Sequence, residues 1–247
     1  MPENDGDETK TAPVVKMGIP IANELLEGFL SLLFPPRCEV CGTLQEAVFC
    51  DACREGIITL KEPWCVQCGL PFDPLAHTTA HCEECRSDPP HFDAARAAVL
   101  YGGAIRYAIH AFKYAGIRAM AAPFAALIAD GVALPMPLDC LAPVPLHPLR
   151  ERMRGYNQSR LLAEELAAHW TLPVEELLQR TRNIPPQMRL PREERRRNVH
   201  GAFAAGGGIA GRSIGLVDDV FTTGATLREC SRLLKAAGAA RVVVITI

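Results

Sequence analysis

Leu216-Val217-Asp218-Asp219-Val220-Phe221-Thr222-Thr223-Gly224-Ala225-Thr226 joins a run of buried-strand character, Ile214 to Val217, to a helical pattern over about Leu227 to Ala237. Gly238 follows where a left-handed helix cap is expected. The helix start supplies unpaired N–H groups and partial positive charge, and Gly224 lets the backbone approach an anion closely. Thr222, Thr223 and Thr226 add hydroxyl donors, so residues Thr222, Thr223, Gly224, Ala225 and Thr226 make a seat for a phosphate monoester. Asp218 and Asp219, just upstream at the strand's end, are acceptors suited to vicinal ribose hydroxyls or to a magnesium shell. Ligands of open α/β sheets bind outside that same edge.

Outward from this turn, the flanking sequence has one texture from Phe92 to Ile247. Strand-like runs (Cys140 to Val144, Ile214 to Val217, Val242 to Ile247) alternate with helical patterns such as Ile105, Ile109, Phe112 and Leu161, Leu162, Leu166. That alternation predicts an α/β domain with a mostly parallel sheet over residues 92–247, long enough for its own core. The Pro143-Val144-Pro145-Leu146-His147-Pro148 loop closes the first of these runs, and Arg150, Arg152 and Arg154 follow it. Guanidinium forks suit phosphate oxygens, and Arg150 and Arg154 are candidates for a diphosphate. A further arginine run, Arg180 to Arg197, contains Arg195, Arg196 and Arg197, which are candidates for nucleic-acid phosphates.

The N-terminal part reads differently. Eight of the ten cysteines fall between Cys38 and Cys85 as four C-x-x-C pairs: Cys38/Cys41, Cys50/Cys53, Cys65/Cys68 and Cys82/Cys85. Each such turn aims two sulfurs at one point, so two turns close a tetrahedral thiolate site. The short intervals favour Cys38, Cys41, Cys50 and Cys53 as one site and Cys65, Cys68, Cys82 and Cys85 as the other, over an interleaved arrangement. Zinc suits four thiolates better than iron, which the ligand set alone leaves open. Closed sites of this kind are structural. They staple a segment too small to hold a core, or build a docking surface on which Phe49, Trp64 and Phe72 offer ring faces and Arg37, Arg54, Lys61 and Arg86 offer charge. His77 and His81 are spare ligands that the cysteine count makes unnecessary, and Cys140 and Cys230 read as buried apolar fillers.

Composition bounds the rest. Hydrophobic residues are 49% and charged residues 22% of the 247, the balance of a globular chain, and the net charge of −2 means that affinity for a polyanion must come from local patches. Residues 1–17 read as a disordered acidic tail and 18–34 as an amphipathic helix stopped by Pro35-Pro36. Asn23, Glu24 and Glu27 interrupt that helix's apolar run, so no membrane insertion is expected. The acidic N-terminus is unlike an export signal, which implies a cytoplasmic protein with reduced cysteines. Residues 35–90 are expected to form the double zinc ribbon.

The eleven-residue stretch resembles the phosphoribosyl pyrophosphate (PRPP) binding signature of type I phosphoribosyltransferases: two hydrophobics, two acids, a hydrophobic, a free position, then Thr-Thr-Gly-x-Thr. Two thiolate modules ahead of such a fold resemble the ComF competence-protein family. So do Leu33-Phe34-Pro35-Pro36-Arg37-Cys38, Phe112-Lys113-Tyr114, Arg154-Gly155-Tyr156-Asn157-Gln158 and Arg195-Arg196-Arg197-Asn198-Val199. That resemblance implies an N-terminal double zinc ribbon followed by a type I phosphoribosyltransferase-like domain. It also implies PRPP with Mg²⁺ as ligand, Asp218 and Asp219 as the catalytic pair holding the ribose, a role with single-stranded DNA in DNA uptake or utilisation, and a helicase-like DNA translocase as partner. The alternative is an active phosphoribosyltransferase with an unknown acceptor.

Overall fold

The computed structural model describes residues 35–73, 80–183 and 197–247. The acidic tail, the helix expected over 18–34, His77, Arg195 and Arg196 lie outside the described residues. Around the cysteines, the only helices among the described residues are two single turns, α1 (Asp51–Glu55) and α2 (Glu83–Ser87). The remainder runs β1 (Ala94–Ala97), α3 (Gly103–Tyr114), α4 (Ala121–Gly131), β2 (Cys140–Pro143), α5 (Pro148–Arg154), α6 (Gln158–Trp170), β3 (Leu178–Arg180), β4 (Phe203–Ala205), β5 (Ser213–Val217), α7 (Ala225–Ala236) and β6 (Arg241–Thr246).

Four strands make one parallel sheet in the order β1-β6-β5-β2, and β3-β4 form a separate antiparallel pair. Period-two alternation splits the sheet's side chains between two cores. Val243 and Ile245 of β6, with Leu141 and Val217, face α3, α4 and α6. Val242 and Val244, with Cys140, Ile214 and Leu216, face α7 and the β3-β4 pair. Cys140 and Cys230 are fully buried among those apolar neighbours, as their sequence setting suggests.

β1 lacks strand-forming residues, since alanine has poor β-propensity. Its small side chains have another use. The Gln67 carbonyl accepts from Ala95 N at 2.6 Å, and a Cβ on Gly69 would stand 2.6 Å from the Ala95 carbonyl oxygen. Alanine and glycine therefore let the second cysteine module lie directly on the sheet edge. Residues 58–60 continue the seam, with Leu60 N donating to the Ala98 carbonyl at 3.0 Å and Leu100 N to that of Ile58 at 2.8 Å.

The helix ends follow local chemistry. The His147 side chain caps α5 with Pro148 at its first position, and Gly155 closes it at φ +84°. Asn157 caps α6 through Ser159 N at 3.0 Å, while its amide donates to the Val144 carbonyl at 3.0 Å and so pins the loop after β2. α7 ends as expected at Gly238, with Gly238 N donating to Lys235 O and Ala239 N to Leu234 O, both at 3.0 Å.

Candidate functional site

The signature turn begins where β5 leaves the sheet. Gly224 sits at φ +68°, and a Cβ there would meet Phe221 Cε2 at 2.5 Å, so both conformation and space call for glycine. No side chain caps the first turn of α7, whereas α5 and α6 are each capped by one. Its leading N–H groups therefore face the cavity without a side-chain acceptor of their own.

That cavity, about 430 Å³, brings together most of the residues singled out in sequence. Asp218, Thr222, Thr223, Gly224, Ala225, Thr226 and Arg150 all line it. Asp219 does not. It is buried behind the turn and pairs with Lys113 Nζ at 2.8 Å, while its Oδ2 is buried with no hydrogen-bond partner. Arg154 also stands aside, because the last turn of α5 points its guanidinium at Gln158 Oε1 and over the Tyr114 ring, 5.3 Å from the centroid. Arg197 is exposed and is not among the cavity residues.

Two cations complete the site that residue-type reasoning assigned elsewhere or not at all. Lys113 and Arg180 both line the cavity. Phe112-Lys113-Tyr114 stands out as a segment, but nothing in a helical pattern tells a cavity lysine from a solvated one. Arg180 reads as one arginine of a run, yet it ends β3 with its Nε buried and unpartnered and its guanidinium over the Phe203 ring at 5.3 Å.

Electrostatics suit an anion beside a sugar. Burial, joined by the charge of Arg150, lowers the pKa of Arg180, and burial with the charge of Arg154 lowers that of Arg150. These cations are crowded, which an incoming phosphate would relieve. Burial opposes the charge on Lys113, but the Asp219 carboxylate outweighs it and holds the ammonium above its usual range. Asp218 is pushed up to about 7 by burial and then by the charge of Asp219, against the Lys113 charge and the Ser159 hydroxyl that donates to its Oδ1 at 2.8 Å. The Asp218 carboxylate at the cavity wall is an oxygen donor that fits a hydrated magnesium or ribose hydroxyls, while Asp219 stays behind the turn on Lys113.

The cysteines group sequentially. Within each of the sets Cys38, Cys41, Cys50, Cys53 and Cys65, Cys68, Cys82, Cys85, all four sulfurs lie within 4.8 Å of one another. Cys41 and Cys50 Sγ are 3.5 Å apart and Cys68 and Cys82 Sγ 3.6 Å, near the ~3.8 Å spacing of sulfurs 2.3 Å from a tetrahedral centre. Backbone N–H groups point at the sulfurs, Cys50 to Cys38 and Cys82 to Cys65, each at 3.4 Å, which favours thiolates. Four such donors fit structural zinc and leave no ligand position open. Phe49 is buried against Phe124, Phe72 packs on the second cluster, and Trp64 carries Arg96 over its ring, so these aromatics serve packing.

The double zinc ribbon domain family matches residues 29–86. The "DNA utilization protein YhgH" of Salmonella typhi is 32% identical over 223 residues, 85% of this chain and 96% of that protein. "Competence protein F" of Haemophilus influenzae is 31% identical, covering 82% of this chain and 92% of its own length, and "Competence protein ComFC" of Bacillus subtilis is 29% identical over 77% and 79%. Among solved structures, a glutamine PRPP amidotransferase from B. subtilis overlaps 48% of this chain at 26% identity with a TM-score of 0.34. With two four-cysteine clusters seated on a parallel α/β sheet, and relatives above 30% identity along most of its length, the chain belongs to the ComF family of competence and DNA utilization proteins.

Proposed function

We propose that this protein binds PRPP in the 430 Å³ cavity and handles single-stranded DNA during DNA uptake or utilisation. The observation that carries the first half is the convergence of Asp218, the Thr-Gly-Thr turn, Arg150 and Arg180 on one cavity at the end of β5. Thr222 to Thr226 and the first turn of α7 would hold the 5′-phosphate. Asp218 would accept from the ribose hydroxyls, with Asp219 held behind it on Lys113, and Arg150 with Arg180 would take the diphosphate. Magnesium, when bound, would neutralise the diphosphate and steady a leaving pyrophosphate. Lys113 holds the buried Asp219 charge in place until a ligand arrives.

The DNA half rests on the names its relatives carry and on local positive charge in a chain of net charge −2. A helicase-like DNA translocase is the partner that fits such a role. No helix among the described residues is long and apolar enough to cross a membrane. Calorimetry of the zinc-loaded protein with PRPP and Mg²⁺ tests the cavity. Saturable heat that Asp218→Asn weakens supports binding, and no heat at millimolar ligand removes it. Following pyrophosphate release in the same mixture separates the readings: binding without release supports a PRPP-bound DNA-handling protein, and steady release makes it a phosphoribosyltransferase.

A further inference from the structure

α3 has two unlike faces. Ile105, Ala108, Ile109 and Phe112 are buried in the core, while the opposite side shows Arg106, Tyr107, His110 and Tyr114 to solvent. Tyr107 is 66% and Tyr114 56% exposed, although tyrosine rings on a solvated helix gain nothing from water. The three rings fall at helical spacing on one side, and those of His110 and Tyr114 already meet at 4.7 Å between centroids.

The chain segment that carries this stripe has formal charge of one sign. No acidic residue occurs between Asp93 and Asp130. Arg106 lies one position from Tyr107, and the α5 guanidinium of Arg154 covers the Tyr114 ring. Arg118, just beyond α3, lies over Tyr156 and donates to the Gly155 carbonyl. Tyr156 in turn donates to the Phe112 carbonyl, which ties the α5–α6 corner to α3 and keeps the arginines beside the rings. The stripe ends at the cavity, because Tyr114 also lines it.

We propose that this face is the track for single-stranded DNA, with bases stacked on Tyr107, His110 and Tyr114 and phosphates against Arg106, Arg118 and Arg154. The proposal rests on the DNA-handling reading above and names where the strand runs. Seven residues of helix from Tyr107 to Tyr114 span about 10 Å. At about 3.4 Å per stacked nucleotide, that is room for three bases on three rings. A duplex has no base face to offer such a surface, whereas a single strand does. Among the ribbon aromatics Phe49 is buried and Trp64 and Phe72 are half-buried, so none offers a ring as open as those of Tyr107 and Tyr114. A strand on this track reaches the cavity mouth at Tyr114, which puts the nucleic acid beside the phosphoribosyl ligand.

The test is fluorescence anisotropy of the full chain with labelled oligothymidine across a salt series. Tyr107→Ala/His110→Ala changes only exposed rings that do not line the cavity, so its PRPP heat should match that of the parent protein and report an intact fold. Its affinity for the oligonucleotide should fall tenfold or more, with the salt slope unchanged. Arg106→Ala should instead flatten the slope of log affinity against log salt by about 0.7. Bromodeoxyuridine placed in the strand should photocrosslink to the peptide carrying Tyr107 and His110. The track is overturned if the double ring variant binds as tightly as the parent while Arg54→Ala/Lys61→Ala on the ribbons loses binding. A parent protein that binds no single strand at low salt overturns the DNA-handling function itself, and the track with it.

Discussion

The cysteine modules and the phosphate corner reach order by opposite routes. In the second module, the buried cluster among the described residues consists of Cys65, Cys82 and Cys85, with Cys68 and Phe72 against it. The single-turn helix of each module, α1 in the first and α2 in the second, is capped by cysteine sulfur, and α1 buries no residue at all. The phosphate corner instead stands on a completed core, with Leu216, Val217 and Ile245 fully buried behind Asp218 and Asp219. One region has its metal ligands for a core, and the other has a core that presents ligands. Disturbance should therefore spread within the first and stay local in the second.

The largest effect should come from taking the metal away. Structural zinc in small modules carries on the order of 10–16 kcal/mol of apparent binding energy, which is also folding energy. Chelation should release amide protection in residues 38–72 and 80–88, and Cys65→Ser in residues 65–72 and 80–88, while β5 and β6 stay protected in hydrogen exchange, and the intact protein should hold two zinc ions per chain. Loss of protection in β5 as well would mean that the sheet depends on the ribbon. Next in size is Lys113→Met. It leaves the Asp219 carboxylate buried without its cation, at a cost of about 3 kcal/mol, the low end for a broken buried pair because Lys113 keeps some exposure. Denaturant unfolding should show the loss, and Lys113→Met/Asp219→Asn should recover much of it.

How much of this was legible in the chain follows from the same contrast. The C-x-x-C pairs encode their site locally, since turn geometry aims two sulfurs at once and short intervals join the turns. The signature turn is equally local, because strand, glycine and helix start are contiguous from Ile214 to Ala237. Strands β2, β5 and β6 announce themselves by apolar runs, but Ala94–Ala97 does not, because its pairing is settled by β6 and by the cysteine module that needs small residues to approach. Lys113 and Arg180 escaped for a related reason. Each is brought to the cavity by a different element, and no spacing along the chain links Lys113 to Asp219. Arg154 shows the converse, lying beside the loop after β2 in sequence while its helix carries it over Tyr114.

Smaller changes at the corner should remain there. Gly224→Ala places a β-carbon in the left-handed region and against the Phe221 ring, which costs about 1–2 kcal/mol of stability. The same change should weaken PRPP in calorimetry while leaving zinc content at two, and loss of zinc would show the regions to be less separate than the geometry indicates. The proton on Asp218 sharpens the point. Its pKa is raised to about 7, so the folded corner keeps a proton that the unfolded chain would release, and ionising it costs stability as pH rises from about 4 through 7. Binding that uses the ionised carboxylate must expel that proton. PRPP affinity should therefore climb up to about tenfold per pH unit below 7 and level off above it, and Asp218→Asn should remove that component of the profile.

The smallest effect tests a polar strut that joins the two regions through the start of α7. Arg228, in the first turns of α7, donates to the carbonyl of Asp88, the C-cap of α2, at 3.0 Å and reaches Oε1 of Glu84, in the first turn of α2, at 3.2 Å, beside the second cysteine cluster. Both carboxylate partners are partly solvated, so Arg228→Ala should cost no more than about 1 kcal/mol of stability. Its value lies in coupling. If the strut transmits the state of the thiolate site to the turn that seats the phosphate, partial chelation should weaken PRPP binding by the parent protein and leave that of Arg228→Ala unmoved. Equal weakening in both would locate the coupling in the backbone seam along β1 instead, where Gln67 and Ala95 hold the module to the sheet edge whatever α7 does.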